Sequence, residues 1–273
     1  MNEIYLSTGA FTGRTNGRDP HLLTRFHRLL DCDGFEFMLM SSFDSVMSEL
    51  IAEYRAEGIR IPILHARKEL GDHLSTPEEA AFRTAKDLFR QNCEVACALG
   101  ATRLVVHGWG VPDSDSYPEM LYTRIPKLDE IARSYGLQAV IENCVCTHGS
   151  PLHHIEELHA AAPDLTFTVD TRCSEFHGEL PATMESPLWD SVIRHVHIND
   201  YIGGIKDWDA RYPIYQPGKG QIDWELFFGG LAAHNYTGSI TLEASAMLPD
   251  RVDCETLNAG LGYIRTHLKQ KTL

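Results

Sequence analysis

Residues 137–144 read LQAVIENC, residues 150–161 read SPLHHIEELHAA, and residues 165–171 read LTFTVDT. An apolar run carrying a carboxylate near its end, an amphipathic stretch opened by Ser-Pro, and a second such apolar run predict a strand, a helix and a strand. Near-continuous apolar runs suit parallel strands covered on both faces. The alternation extends in both directions from this unit. Further strands are predicted at Ile4–Thr8, Gly34–Met40, Arg60–Ala66, Arg103–Trp109, Arg194–Asp200 and Gly238–Ser245, with helices at 21–31, 44–58, 76–99, 116–135, 185–193, 223–235 and 254–270. Thr76-Pro77-Glu78-Glu79 places a capping residue before proline, and Ser150-Pro151 and Ser186-Pro187 repeat the pattern. Eight strands alternating with eight helices predict an α/β fold, a closed (β/α)8 TIM barrel occupying residues 1–273 as one domain. An open doubly wound sheet would be expected to show a glycine-rich first turn, and Gly9-Ala10-Phe11-Thr12-Gly13 does not supply it.

Composition narrows the function classes. A chain of 273 residues, 43% hydrophobic, can bury a large core, and barrels of about 250 residues form one unit. The N-terminus lacks the basic start and apolar run of a signal peptide, and no stretch approaches the ~18 apolar residues of a membrane span. The formal charge of −14 opposes general attraction to nucleic acid or anionic membranes. Seven cysteines make an odd number for a disulfide framework, and Cys144-Val145-Cys146 is too closely spaced for a CxxC site. Cys93 and Cys97, one helical turn apart, read as buried free thiols. A reducing cytoplasmic location is expected, with a small-molecule substrate, no nucleic-acid or membrane partner, and homo-oligomerisation left open.

Ionisable residues gather where strands end. Glu36 lies in the second strand; His65, His107, Glu142, Asp170, His197 and Glu243 end the third to the eighth. A barrel brings these ends together at its C-terminal mouth, the usual place of the active site. Burying so many ionisable groups together is costly unless a metal or substrate offsets it.

The segments IEN at 141–143, TVDT at 168–171, HVHIND at 195–200 and TLEA at 241–244 resemble the strand-end motifs of the xylose isomerase-like barrel superfamily, as does GKGQIDW at 218–224. That superfamily contains sugar and sugar-phosphate isomerases and epimerases and the AP endonuclease family 2. The resemblance implies that Glu142, Asp170, His197 and Glu243 are metal ligands. Three carboxylates and one imidazole suit Mn2+, Mg2+ or Co2+, with Zn2+ also admissible. It further implies an isomerase or epimerase of a small sugar, sugar phosphate or related hydroxycarbonyl. There Glu142 and Glu243 transfer a proton through an enediolate. A lyase or hydrolase on the same site, such as a hydroxy ring acid dehydratase, is the first alternative. An AP endonuclease and a non-catalytic sugar-binding barrel are the others.

Around these ligands, His65, His107, Trp109, Glu36, Asn199 and Lys219 are candidates for substrate binding. Trp109 is a candidate for stacking on a sugar face, or else a core residue. Glu36 is read as a substrate contact or part of a buried polar network. Asn199 and Asp200 are candidates for orienting His197, since metal-bound histidines usually have an acceptor behind them. Lys219, between two glycines, marks a phosphate-binding loop or a surface turn. His153, His154 and His159 are expected on a helix surface. Two positions depart from the family pattern: Cys173 stands where Asp-x-x-His would place histidine, and Gly203 where ketose epimerases carry arginine. Arg172 and His177 are candidates to compensate. Cys173, together with Asp209-Ala210-Arg211 where the endonucleases carry Asp-x-His, argues against a three-metal repair enzyme, since arginine offers no lone pair.

Overall fold

The computed structural model describes residues 2–110 and 115–270. Eight parallel strands, β1 (Ile4–Ser7), β2 (Phe35–Met38), β3 (Ile63–His65), β4 (Arg103–His107), β5 (Gln138–Glu142), β6 (Thr166–Asp170), β7 (Ile193–Ile198) and β8 (Ser239–Leu242), pair in sequence order and close into a barrel. Closure is made by β1 on β8, with Ile4 opposite Ile240 and Leu6 opposite Leu242. The expected TIM barrel is therefore the observed fold.

Every expected strand is present but shorter than its apolar run. The run at 238–245 yields only Ser239–Leu242, so Glu243 lies one residue past β8, held by its amide to the Ile198 carbonyl at 3.0 Å. The helices are α1 (Leu22–Phe26), α2 (Met47–Ala56), α3 (Glu69–Leu74), α4 (Glu79–Leu99), α5 (Pro118–Ser134), α6 (Pro151–Ala161), α7 (Thr171–Phe176), α8 (Leu180–Glu185), α9 (Trp224–Ala233) and α10 (Cys254–Gln270). Between β6 and β7 two short helices and a 3-10 turn over Pro187–Asp190 replace the helix expected at 185–193. Asp170 causes the early start, because its side chain accepts from the Cys173 amide and caps α7. Ser150 caps α6 as its motif implies. Thr76 does not cap α4, which begins at Glu79, and its carbonyl instead accepts from Arg124. No helix among the described residues is long and apolar enough to cross a membrane.

Period-two alternation sends one set of side chains outward to the helices and the other into the barrel. Leu64, Leu104, Val106, Ile141, Phe167, Val196 and Ile240 join the large outer core. Tyr5, Ile63, Val105 and Val140 form a separate apolar plug inside. The same alternation makes Glu36, His65, His107, Glu142, Asp170, His195, His197, Thr241 and Glu243 inward neighbours.

Candidate metal centre

Four of these residues form one group. Ligand atoms of Glu142, Asp170, His197 and Glu243 all lie within 4.8 Å of one another. A cation with bonds of about 2.1 Å needs ligand atoms separated by roughly 3.0 to 4.3 Å. His197 Nδ1 lies 3.4 Å from Glu142 Oε1 and 3.3 Å from Glu243 Oε2. His197 Nδ1 and Glu243 Oε1 are buried and have no hydrogen-bond partner. Such orphaned atoms, converging from different strands, suit a divalent cation.

His197 and Asp170, two of the ligand candidates, are each fixed from behind. His197 Nε2 lies 3.1 Å from Glu36 Oε1, which leaves Nδ1 facing the carboxylates. Glu36 is fully buried; its Oε2 also meets His195 Nε2 at 2.9 Å and accepts from the Thr241 hydroxyl at 2.8 Å. Of the two readings of Glu36, substrate contact or buried network, this geometry is that of the network. Asn199 orients Asp170 rather than His197, its Nδ2 donating to Asp170 Oδ2 at 3.0 Å. Asp170 Oδ1 accepts from the Cys173 amide at 2.7 Å. Each carboxylate oxygen thereby keeps a lone pair for a cation.

The electrostatics of the cluster are compatible with a cation. Burial works against charge on His197, yet Glu243, Glu36 and Glu142 hold its pKa well above the usual imidazole range. Burial also opposes charge on Glu36 and Glu142. Their histidine neighbours nevertheless hold both well below the ordinary carboxylate range. The field that retains a proton on His197 is the field a metal would enter.

His65 and His107 belong to the same cluster. His107 Nε2 lies 2.9 Å from Glu142 Oε2, and the two imidazole centroids are 4.9 Å apart. Burial pushes the His107 pKa down to about 4, against the pull of Glu142. Trp109 is 1% exposed, and its indole N–H donates to the Cys144 and Val145 carbonyls at 3.2 and 3.1 Å. Its ring meets His154 edge to face, so it packs in the core and offers no open face to a sugar. Lys219 is exposed in its turn, and the turn's amides are already used. Gly218 and Gly220 donate to Asp200 Oδ2, and Ile222 donates to Asp200 Oδ1. A side-chain carboxylate thus occupies the place suggested for phosphate.

His195 was not singled out among the candidates, although its two-residue offset from His197 puts both on one strand face. His154 departs from its expected surface position: it is buried between Asp115 (Nε2 to Oδ2, 3.0 Å) and the Tyr122 hydroxyl (2.8 Å from Nδ1). Asp115 also accepts from the amides of Thr147, His148 and Gly149, binding together the loops after β4 and β5. Cys97 is exposed, whereas Cys93 is buried as expected. Cys173 is buried and burial raises its thiol pKa well above the usual value, so the sulfur stays protonated. A side chain at Gly203 would strike the Tyr201 ring and Ala210.

A family model described as xylose isomerase-like TIM barrel matches residues 25–265. No curated protein matches in sequence. Among solved structures, a xylose isomerase domain protein from Alicyclobacillus acidocaldarius is 18% identical with a TM-score of 0.74, each chain covered over 100% of its length. The 3-keto-D-glucoside 4-epimerase from E. coli is 18% identical over 97% of this chain and 100% of its own, with a TM-score of 0.70. The IOLI protein, solved with a bound zinc atom, is 16% identical over 99% and 96%, with a TM-score of 0.70. At these identities the likeness is one of fold.

Proposed function

The chain belongs to the xylose isomerase-like TIM barrel family, and from that premise we propose that it is a divalent-metal-dependent isomerase or epimerase of a small sugar, sugar phosphate or related hydroxycarbonyl. The observation that supports the reading is the approach of both Glu142 and Glu243 to the unpartnered His197 Nδ1, at 3.4 and 3.3 Å. Solved structures of similar fold include L-ribulose 3-epimerase and D-psicose 3-epimerase, which supports sugar chemistry over phosphodiester cleavage.

Glu142, Asp170, His197 and Glu243 would hold the cation, which when bound supplies Lewis-acid polarisation of neighbouring carbonyl and hydroxyl oxygens. Glu36 keeps the His197 ring turned, and Asn199 keeps the Asp170 carboxylate turned, so the ligands are pre-set. One glutamate removes a proton from the carbon beside the carbonyl, and the other delivers a proton to the opposite side. Positioned acid–base groups of this kind contribute roughly a hundred- to ten-thousand-fold.

The test is turnover of metal-reconstituted protein against ketoses, ketose phosphates and hydroxy acids in D2O. Product should carry deuterium at one carbon, and Glu243→Gln should lose most of the rate. Substrate labelled at that carbon controls for internal return of the proton. Product lacking both exchange and label loss would replace proton transfer by a hydride shift or hydrolysis.

A further inference from the structure

Arg103, Gln138 and Ser239 are the first residues of β4, β5 and β8, so they mark the floor of the barrel, at the end opposite the metal cluster. Strands β4 and β8 stand four places apart in the ring of eight, yet Arg103 Nη1 donates to the Ser239 hydroxyl at 2.9 Å. The guanidinium therefore lies across the interior, with its Nε donating to Gln138 Oε1 at 3.1 Å. From Ser239 the polar contacts run on to the metal cluster. Ser239 Oγ lies 2.7 Å from His195 Nδ1, and His195 Nε2 lies 2.9 Å from Glu36 Oε2. His197 Nε2 lies 3.1 Å from Glu36 Oε1. Ser239, His195, Glu36 and His197 are all buried.

Donor and acceptor chemistry gives this chain a direction. Arginine only donates, so Ser239 Oγ spends a lone pair on Arg103 and has its own proton left for His195 Nδ1. With Nδ1 accepting, the single proton of the neutral imidazole sits on Nε2. The neighbours of Nε2 require the same arrangement. The Glu36 carboxylate only accepts, and the Thr241 hydroxyl, 3.1 Å from His195 Nε2, gives its own proton to Glu36. A donor-only group on the floor and an acceptor-only group beside His197 thus demand one tautomer of His195. The other tautomer would set a nitrogen lone pair against the Glu36 carboxylate and loosen its hold on His197.

We propose that Arg103 and Ser239 are positioning residues for the metal centre: acting through His195 and Glu36, they keep the His197 ring turned with Nδ1 toward Glu142 and Glu243. This rests on the metal-centre reading of His197 and extends it to the far end of the barrel, to residues that touch no ligand candidate. A guanidinium suits the task because it stays protonated and cannot reverse its role as donor. Lysine in its place keeps a donor-only group, whereas methionine leaves the Ser239 hydroxyl free to turn round. A purely structural contact on the floor would stabilise the barrel and leave the His195 tautomer and the cation affinity alone.

The experiment titrates the metal-stripped full chain with Mn2+, and reads the His195 tautomer by nitrogen-15 NMR of the same chain before metal is added. The His195 signal is assigned by its loss in His195→Gln. The wild type should carry the His195 proton on Nε2. Ser239→Ala, which removes a single oxygen, and Arg103→Met should each shift the His195 Nδ1 resonance. Each should also weaken Mn2+ binding by about three- to tenfold, less than the ten- to hundredfold of a partner that touches the ligand itself. Arg103→Lys and Ser239→Thr should restore most of both. A wild-type His195 proton on Nδ1 overturns the proposal, as does Mn2+ affinity within about twofold of wild type in both Ser239→Ala and Arg103→Met. Weakened binding with an unmoved Nδ1 resonance also overturns it, leaving these residues a structural role alone. A wild-type chain that takes no Mn2+ sinks the metal reading and this inference together, whereas one that takes Mn2+ with both variants unaffected sinks this inference alone.

Discussion

Glu36 touches no proposed substrate position, yet the structure makes it the residue on which His197 depends. Replacing it by glutamine keeps the volume and removes the charge opposite Nε2. An orienting partner of this kind typically contributes ten- to a hundredfold to metal affinity. Glu36→Gln should therefore weaken Mn2+ binding by about tenfold or more, and Asp170→Ala and His197→Ala by at least as much. Equilibrium titration of metal-stripped protein measures all three, and unchanged affinity in both alanine variants would remove the assignment. The four ligand candidates were legible because each is an acid or imidazole closing an apolar run. What lies behind them was less so. Nothing local distinguishes a Glu36 that faces substrate from one that faces His195 and His197, since that pairing spans 161 residues. Trp109 misled for the same reason: a tryptophan at a strand end can face the mouth or the neighbouring loop, and the Cys144 and Val145 carbonyls decide which.

Among the elements, the turn between β7 and α9 is built around the Asp200 carboxylate, which also accepts from the Trp224 indole at 2.9 Å. A Cβ at Gly220 would collide with Asp200 Oδ1 and the Tyr201 carbonyl oxygen. Gly220→Ala should destabilise the fold by about 1–3 kcal/mol, read from urea midpoints. A loss below a few tenths would show that the turn yields freely. In the sequence this GKG segment looked like a phosphate loop because glycine-rich turns expose amides. That an aspartate 18 to 22 residues away would claim those amides has no local signature. Helices with long amphipathic patterns, such as α4 and α10, were readable to within a few residues. The short α7 and α8 were not, because one cap and a few contacts hold them rather than a repeating apolar stripe.

For the molecule as a whole, stability should depend on pH through His177. Burial, reinforced by Lys206, lowers its pKa to about 4, and its Nε2 accepts from the Cys146 amide at 3.1 Å. The folded pKa lies below the unfolded value of about 6.5. The stabilisation from keeping His177 neutral is therefore complete above pH 6.5 and is lost as pH falls toward 4. Linkage puts the loss by pH 5 at roughly 1–2 kcal/mol. In chelator-treated protein, the wild type should lose that much more than His177→Gln between pH 7 and pH 5. Parallel losses would mean that His177 titrates as it does in the unfolded chain. Strand order and closure were themselves legible, because eight alternations with no interruption leave few other ways to cover every strand.

The pairing of β1 with β8 has a consequence in time. A growing chain makes residues 4–7 more than 200 residues before their partners at 240–242, so β1 waits through that stretch of synthesis with one edge bare. Glu243, the fourth ligand candidate, emerges with those partners. Cation capture is thus a chemical receipt for a finished ring: a chain cut at residue 238 should be both sticky along β1 and blind to Mn2+, whatever its helices have achieved.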